Sequence, residues 1–239
     1  MSNFVKMKNK THKEGKRPFY VFLALVAAAA LLVTTALVYK STKTSWVPND
    51  AYTVVIDAGH GGIDGGVTRG DTREAELNLK YAFVLGAKLE KLNINVVYTR
   101  KDENGLYGDA GDGFKRRDMN KRKEIIINAK ADMVISVHMN KYKDSSRSGP
   151  QVFFQKGDVM SSRLAANIQK TLNAFTKNNH SHLSGDYFIL QCLKNKPCVI
   201  IEFGFLSNAE EAALLVDEQY MQAIVEAAFK GIMLYVYGR

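Results

Sequence analysis

The sequence predicts an α/β domain, a single domain with a mostly parallel, twisted central sheet flanked by helices on both faces, preceded by one N-terminal transmembrane helix. Three observations carry this expectation. Short β-branched runs such as Val54-Val55-Ile56, Asp132–Val137 and Cys198–Phe203 alternate with longer segments of three-to-four-residue apolar spacing, the pattern of strands joined by crossover helices. The strand-like runs are apolar almost throughout, as strands covered on both faces are. Finally, Pro18–Tyr39 is an uncharged, strongly apolar run of 22 residues behind a basic tail, and about 20 such residues cross a bilayer as a helix.

The expected organisation is a basic cytoplasmic tail over residues 1–17, a signal-anchor helix over 18–39, a linker over 40–51 and a globular domain over 52–239. Lys6, Lys8, Lys10, Lys13, Lys16 and Arg17 face a single acid, Glu14, in the tail, which predicts that everything beyond Lys40 lies outside the cytoplasm. The alternative is a secreted protein released by signal cleavage. Cleaved signals have an apolar core of about 7–15 residues and an A-x-A site, whereas this longer run ends in Leu37-Val38-Tyr39-Lys40. An uncleaved, single-pass anchor in the cell membrane is therefore expected. The net charge of +9 does not mark a nucleic-acid partner, because residues 1–45 supply +7 of it and the chain from Trp46 onward only +2. The basicity is a topology signal.

The elements of the domain follow in order. Val54–Ile56 opens it as a buried strand. Leu77, Tyr81, Val84, Leu85, Leu89 and Leu92 have helical spacing across Glu74–Leu92. Ile94–Thr99 reads as a strand and the Gly- and Asp-rich stretch from Lys101 to Phe114 as an exposed loop. A helix is expected over Arg117–Lys130 with Ile125, Ile126 and Ala129 on its buried side, then a strand over Asp132–Val137. Pro150–Gln155 reads as a strand, Ser161–Phe175 as a helix, and Tyr187–Cys192 and Cys198–Phe203 as strands around a Lys-Asn-Lys-Pro turn. Asn208–Leu215 and Glu218–Tyr237 close the domain as helices. Cys192 and Cys198 are expected as buried thiols in apolar surroundings, although a disulfide is permissible outside the cytoplasm.

Chemistry concentrates where strands end. Val54–Ile56 runs through Asp57 into Gly59-His60-Gly61-Gly62, which places a histidine among glycines at a strand's carboxyl end, where open α/β sheets bind ligands. A phosphate loop is a poorer reading, because no helix opens after these glycines and no Lys-Ser/Thr pair follows. His138 repeats the arrangement at the end of Asp132–Val137. Hydrolytic zinc sites commonly use two histidines and one carboxylate and keep one open position. Glu74, at the head of the first helix after the His60 loop, is the natural third ligand, and Glu76 reads as a solvated helix charge. Glu202 ends the apolar run Val199–Ile201, where a carboxylate needs a partner. That partner is either a water at the metal, for which Glu202 is the general base, or a salt bridge, with Arg122 as the candidate. His180 and His182 sit in a polar loop that reads as surface.

These residues resemble the zinc-dependent N-acetylmuramoyl-L-alanine amidases of bacterial cell walls, of the amidase-3 type. Four motifs carry the resemblance, in order over residues 52–237: GHGG at Gly59–Gly62, Glu74 followed by Asn78-Leu79, S-x-H-x-N at Ser136–Asn140, and E-x-G-F-x-S-N at Glu202–Asn208. The resemblance implies one zinc ion (Zn2+) per chain on His60, Glu74 and His138, Glu202 as the catalytic acid/base, and Asn140 in the wall of the substrate cleft. It implies hydrolysis of the amide between N-acetylmuramic acid and L-alanine of the stem peptide, with peptidoglycan as partner, and it leaves open an activator protein and a role in sporulation. A catalytically idle peptidoglycan-binding protein and a zinc exopeptidase on wall peptides are the alternatives. Gln191 and Ile127 depart from the family pattern, which often has Arg and Asn there.

Overall fold

The structure, a computed structural model, describes residues 20–23, 25–30 and 52–238. The chain divides into two compact units, Met1–Val47 and Pro48–Arg239. In the first unit the described residues are helical. The expected tail, the expected linker and most of the expected anchor lie outside the described residues. Among the described residues no helix is long and apolar enough to cross a membrane.

The second unit is built on a six-stranded sheet. Its strands are β1 (Thr53–Ala58), β4 (Asn95–Tyr98), β5 (Met133–Asn140), β6 (Gln151–Gln155), β7 (Leu183–Gly185) and β8 (Cys198–Phe205), and the spatial order is β4-β1-β5-β8-β6-β7. The four strands from β4 to β8 run parallel, β6 is antiparallel to β8, and β7 is parallel to β6. A two-residue hairpin, β2 (Thr68–Arg69) and β3 (Thr72–Arg73), leads into α1 (Glu74–Glu90). The other helices are α2 (Phe114–Asn128), α3 (Val159–Thr176), α4 (Ala209–Val216) and α5 (Glu218–Tyr237).

Strand periodicity sorts the side chains into two cores. Val54, Ile56, Ile135, Val137, Val199, Ile201 and Phe203 belong to the larger one, with Leu77, Tyr81, Leu85 and Leu89 of α1, Leu164 and Ile168 of α3, and Ile224, Ala228 and Ile232 of α5. The alternate residues Val55, Val134, Cys198 and Ile200 belong to the smaller core, with Ile126 of α2. Asp57, Ser136, His138 and Glu202 fall in the same alternation as this second set, on the face that α2 covers. Polar and ionisable groups therefore share one face of the sheet, while the other is given to packing. Within the larger core α3 and α5 approach closely at Gly231, where an added Cβ would sit 2.5 Å from the Ile168 Cα.

Helix starts are fixed by named groups. The Asp158 carboxylate accepts from the backbone N–H groups of Met160 and Ser161 at the head of α3, and the Asn208 and Asp217 side chains cap α4 and α5. At α1 no side chain caps the end. The N–H groups of Glu74 and Ala75 donate instead to the carbonyls of Val67 and Gly65, which leaves the Glu74 carboxylate available for other partners.

Two expectations are corrected. Tyr187–Cys192 is not a strand: Phe188–Gln191 forms a single 3-10 turn that buries Ile189 and Leu190 in the smaller core. Short apolar runs do not distinguish a strand from a tight helical turn. On the buried side of α2, Ile126 is fully buried and Ala129 packs against the smaller core as expected, but Ile125 is only partly buried and Asp118 and Arg122 are buried beside Ile126. This helix faces a polar site, so charged residues occupy positions that the apolar pattern would assign to solvent. The two cysteines are free and buried, as expected.

Candidate metal centre

His60 is separated from the end of β1 by one residue and holds a left-handed backbone with φ of 62°. That conformation is uncommon for a residue with a side chain, and here it turns the imidazole back across the strand ends. Gly59, just before it, is a close-approach position. A Cβ there would lie 2.2 Å from the His138 ring, so the chain passes flat against the second histidine only because the residue is glycine.

His60, Glu74 and His138 converge, each offering a ligand atom within 4.8 Å of the others, and they form the metal-capable group found among the described residues. Glu74 Oε1 lies 3.3 Å from His60 Nε2 and 3.0 Å from His138 Nδ1. It also accepts from the Met139 N–H at 3.2 Å and from Asn78 Nδ2 at 3.3 Å, while Oε2 accepts from the Val67 N–H at 2.8 Å. The two imidazole rings stand 5.0 Å apart, nearly perpendicular. Burial alone would raise the Glu74 carboxyl, but hydrogen bonds and charge from His138 and His60 outweigh it and hold it well below the usual range. Burial likewise opposes the His60 imidazolium, yet Glu74 and Asp64 push its pKa up to about 9. A divalent cation would take the place of those protons on the same donors. Two histidines and a carboxylate suit zinc, with a fourth position left for water.

Glu202 stands opposite His138 in the ladder between β5 and β8. Its Oε2 is buried with no hydrogen-bond partner, and burial raises its pKa to about 7. The salt bridge to Arg122 does not form. Arg122 instead donates to Asp57 Oδ1 at 2.6 Å and to the Ala58 carbonyl at 2.7 Å, and pairs with Asp118. Asp57 is completed by Thr99 Oγ1 at 2.8 Å and Ser136 Oγ at 2.6 Å. Glu202 thus has no salt bridge to Arg122 and faces the centre, where the charges of His138 and His60 act on it.

These groups line a cleft of about 410 Å³ together with Asn140, Lys141, Lys115, Phe114, Tyr187 and Phe188. Asn140 lies in this wall as expected, its Oδ1 accepting from the Lys141 N–H at 2.8 Å. Glu76 is away from the centre and pairs with Arg73 at 3.5 Å. His180 and His182 are also elsewhere: His180 Nε2 contacts the Ser148 carbonyl at 2.8 Å, and the His182 ring packs on Phe154. Gln191 bonds Asp186 at 2.6 Å, and Ile127 is exposed on α2.

Sequence reasoning missed Asp64. Its Oδ2 lies 3.0 Å from His60 Nδ1, the arrangement by which a carboxylate fixes the tautomer of a metal-binding imidazole and frees the other nitrogen for the metal. The only signal was its position four residues beyond His60, inside a glycine-rich turn. Arg100 was also missed. Nothing in the run Tyr98-Thr99-Arg100-Lys101 distinguishes it from a surface base.

Residues 54–233 match the family model described as N-acetylmuramoyl-L-alanine amidase. A germination-specific N-acetylmuramoyl-L-alanine amidase of Bacillus subtilis (strain 168) is 30% identical over 205 residues, covering 82% of this chain and 86% of the relative. Among solved structures, the CwlD amidase from Clostridioides difficile, in complex with the GerS lipoprotein, is 34% identical with a TM-score of 0.74, covering 79% of this chain and 100% of that one. An N-acetylmuramoyl-L-alanine amidase from Clostridium difficile 630 is 28% identical with a TM-score of 0.71, covering 80% and 100%.

Proposed function

The chain belongs to the N-acetylmuramoyl-L-alanine amidase family and hydrolyses the amide between N-acetylmuramic acid and L-alanine in peptidoglycan; from that premise we propose that His60, Glu74 and His138 hold one zinc ion and that Glu202 is the catalytic acid/base. The convergence of the two histidines and Glu74 beside a buried, unpartnered Glu202 oxygen carries this reading.

Zinc bound by this set would polarise the scissile carbonyl and acidify water. The chain's own residues do the rest. Asp64 holds the Nδ1 proton of His60, so that Nε2 presents its lone pair. Glu202, with a pKa near 7 from burial, accepts a proton from the attacking water and returns it to the departing alanine nitrogen. A base poised near the working pH serves both transfers. Asn140 and the aromatic wall of Tyr187 and Phe188 position the substrate. The idle and exopeptidase alternatives lose their support, since the required residues are all present and assembled within the amidase family.

We also propose that residues 18–39 anchor the enzyme in the cell membrane with the catalytic domain on the cell-wall side. The basic tail supports this, as does the exposure of Tyr20, Val21, Phe22, Leu23, Leu25 and Val26, each more than half exposed. The germination-specific relative supports spore peptidoglycan as a substrate, and the complex of the CwlD amidase with a lipoprotein supports a protein partner for this chain.

The test compares Glu202→Gln with Glu74→Gln for zinc content and for release of muropeptides cut at the muramoyl–alanine bond, read by mass. Glu202→Gln should keep its zinc and lose about 10²–10⁴ in rate, whereas Glu74→Gln should lose metal. A metal-free Glu202→Gln would make Glu202 a ligand, and near-normal turnover with zinc bound would remove it from the chemistry.

A further inference from the structure

Arg100 is 3% exposed, and every hydrogen bond it makes goes to a main-chain carbonyl. Nε donates to Ala58 at 2.9 Å, Nη2 to Gly59 at 3.0 Å and to Ala75 at 2.7 Å, and Nη1 to Asp102 at 2.8 Å. No carboxylate pairs with it directly. Burial and the charge of Arg122 push its pKa down to about 10, so it is still a cation at neutral pH. A buried charge is costly unless its donors are well satisfied, and what this one joins explains why it is kept there. Ala58 and Gly59 are the residues immediately before His60. Ala75 is the residue immediately after Glu74. One rigid, planar guanidinium therefore bridges the two segments that carry a histidine and the carboxylate of the centre.

Two neighbours reinforce the bridge. Asn78 Nδ2 donates both to the Gly59 carbonyl at 3.2 Å and to Glu74 Oε1 at 3.3 Å. Arg122 Nη2 donates to the His60 carbonyl itself, on the far side of the left-handed turn. Three consecutive carbonyls, those of Ala58, Gly59 and His60, are thus held by buried guanidinium groups.

We propose that Arg100 is a positioning residue for the metal centre, spacing the His60 turn from the head of α1 so that His60 and Glu74 meet one ion without rearrangement. The proposal rests on the zinc reading above. Lysine cannot replace it, because a single ammonium cannot span carbonyls on two segments in the fixed fork geometry of arginine.

The test uses the full-length chain and two variants, Arg100→Lys, which keeps the charge, and Arg100→Gln, which keeps a planar donor. Zinc affinity is measured by competition with a chelator, the visible spectrum is recorded with Co²⁺ in place of zinc, and the thermal midpoint is taken without metal. Groups that orient metal ligands typically change metal affinity about 10–100-fold when removed. We expect a loss in that range for both variants, with an altered Co²⁺ spectrum in folded protein. A wild-type zinc affinity and an unchanged Co²⁺ spectrum in a folded variant, whatever the thermal midpoint, would reduce Arg100 to a structural strut and overturn the proposal. Failure of both variants to fold would overturn it equally. If the wild-type chain binds no zinc, it is the metal reading that fails, and the wild-type measurement separates the two.

Discussion

Asp57 shows how much of this site depends on residues outside the His60, Glu74 and His138 group. Burial alone would raise its carboxyl, but the charge of Arg122 and hydrogen bonds from Ser136, Arg122 and Thr99 hold its pKa at about 2. A carboxylate depressed from 3.8 to about 2 contributes about 2 kcal/mol. That contribution is present above the unfolded pKa and is lost as pH falls through the folded one, here between about pH 4 and pH 2. Asp57→Asn leaves Arg122 short of a buried partner and should cost about 3–5 kcal/mol at pH 7. The difference from wild type should shrink at pH 3, with urea unfolding of metal-free protein as the measurement. An equal loss at both pH values would show that the charge of Asp57 contributes nothing. His60, His138 and Glu202 were legible in the sequence because each ends an apolar run, and Glu74 because it opens the next helix. Asp57, Arg100 and Arg122 owe their roles to partners up to 79 positions away, such as Ser136 for Asp57, and no local pattern announces that, while Asp64 and Asp118 offered only a four-residue spacing from His60 and Arg122.

Helices and strands were legible in proportion to how completely packing decides them. The start and end of α5, Glu218 and Tyr237, agree with the apolar spacing because this helix packs on one apolar face. In α2 the spacing misleads, because Arg122 and Asp118 are buried for their charges and Ile127 is exposed. The two- and three-residue strands β2, β3 and β7 are too short for any period to mark. The α3–α5 contact allows a sharper test. At Gly231 an added Cβ would meet the Ile168 Cα at 2.5 Å and the Asn167 carbonyl at 2.8 Å, atoms that cannot move aside without the helix. Alanine gains about 1 kcal/mol over glycine in helix propensity, while overpacking typically costs about 1–3 kcal/mol. Gly231→Ala should therefore be net destabilising or at best neutral in chemical denaturation. A clear gain in stability would mean that the two helices slide apart freely, and that the larger core is looser than its burial suggests.

Across the whole molecule, the charge is divided as sharply as the function. The basic residues that dominate the net +9 lie before Trp46, so a reporter should reveal which side of the membrane the catalytic unit occupies. Alkaline phosphatase fused after Lys43 should be active, and a reporter that works only in the cytoplasm should be silent there. The reverse outcome would invert the topology. Within the catalytic unit, His138 and Glu202 sit opposite each other on adjacent parallel strands, so their separation is set by the weave of the sheet and not by any loop. A slip of one residue in β8 would bring Ile201 beside His138 and turn Glu202 into the hydrocarbon of the larger core. No half-shifted pairing would leave a weakened catalyst behind. The loop over residues 143–148 lies outside every strand and helix and can change length without moving this pair, but the step from Cys198 to Glu202 is a count that can only be kept or lost.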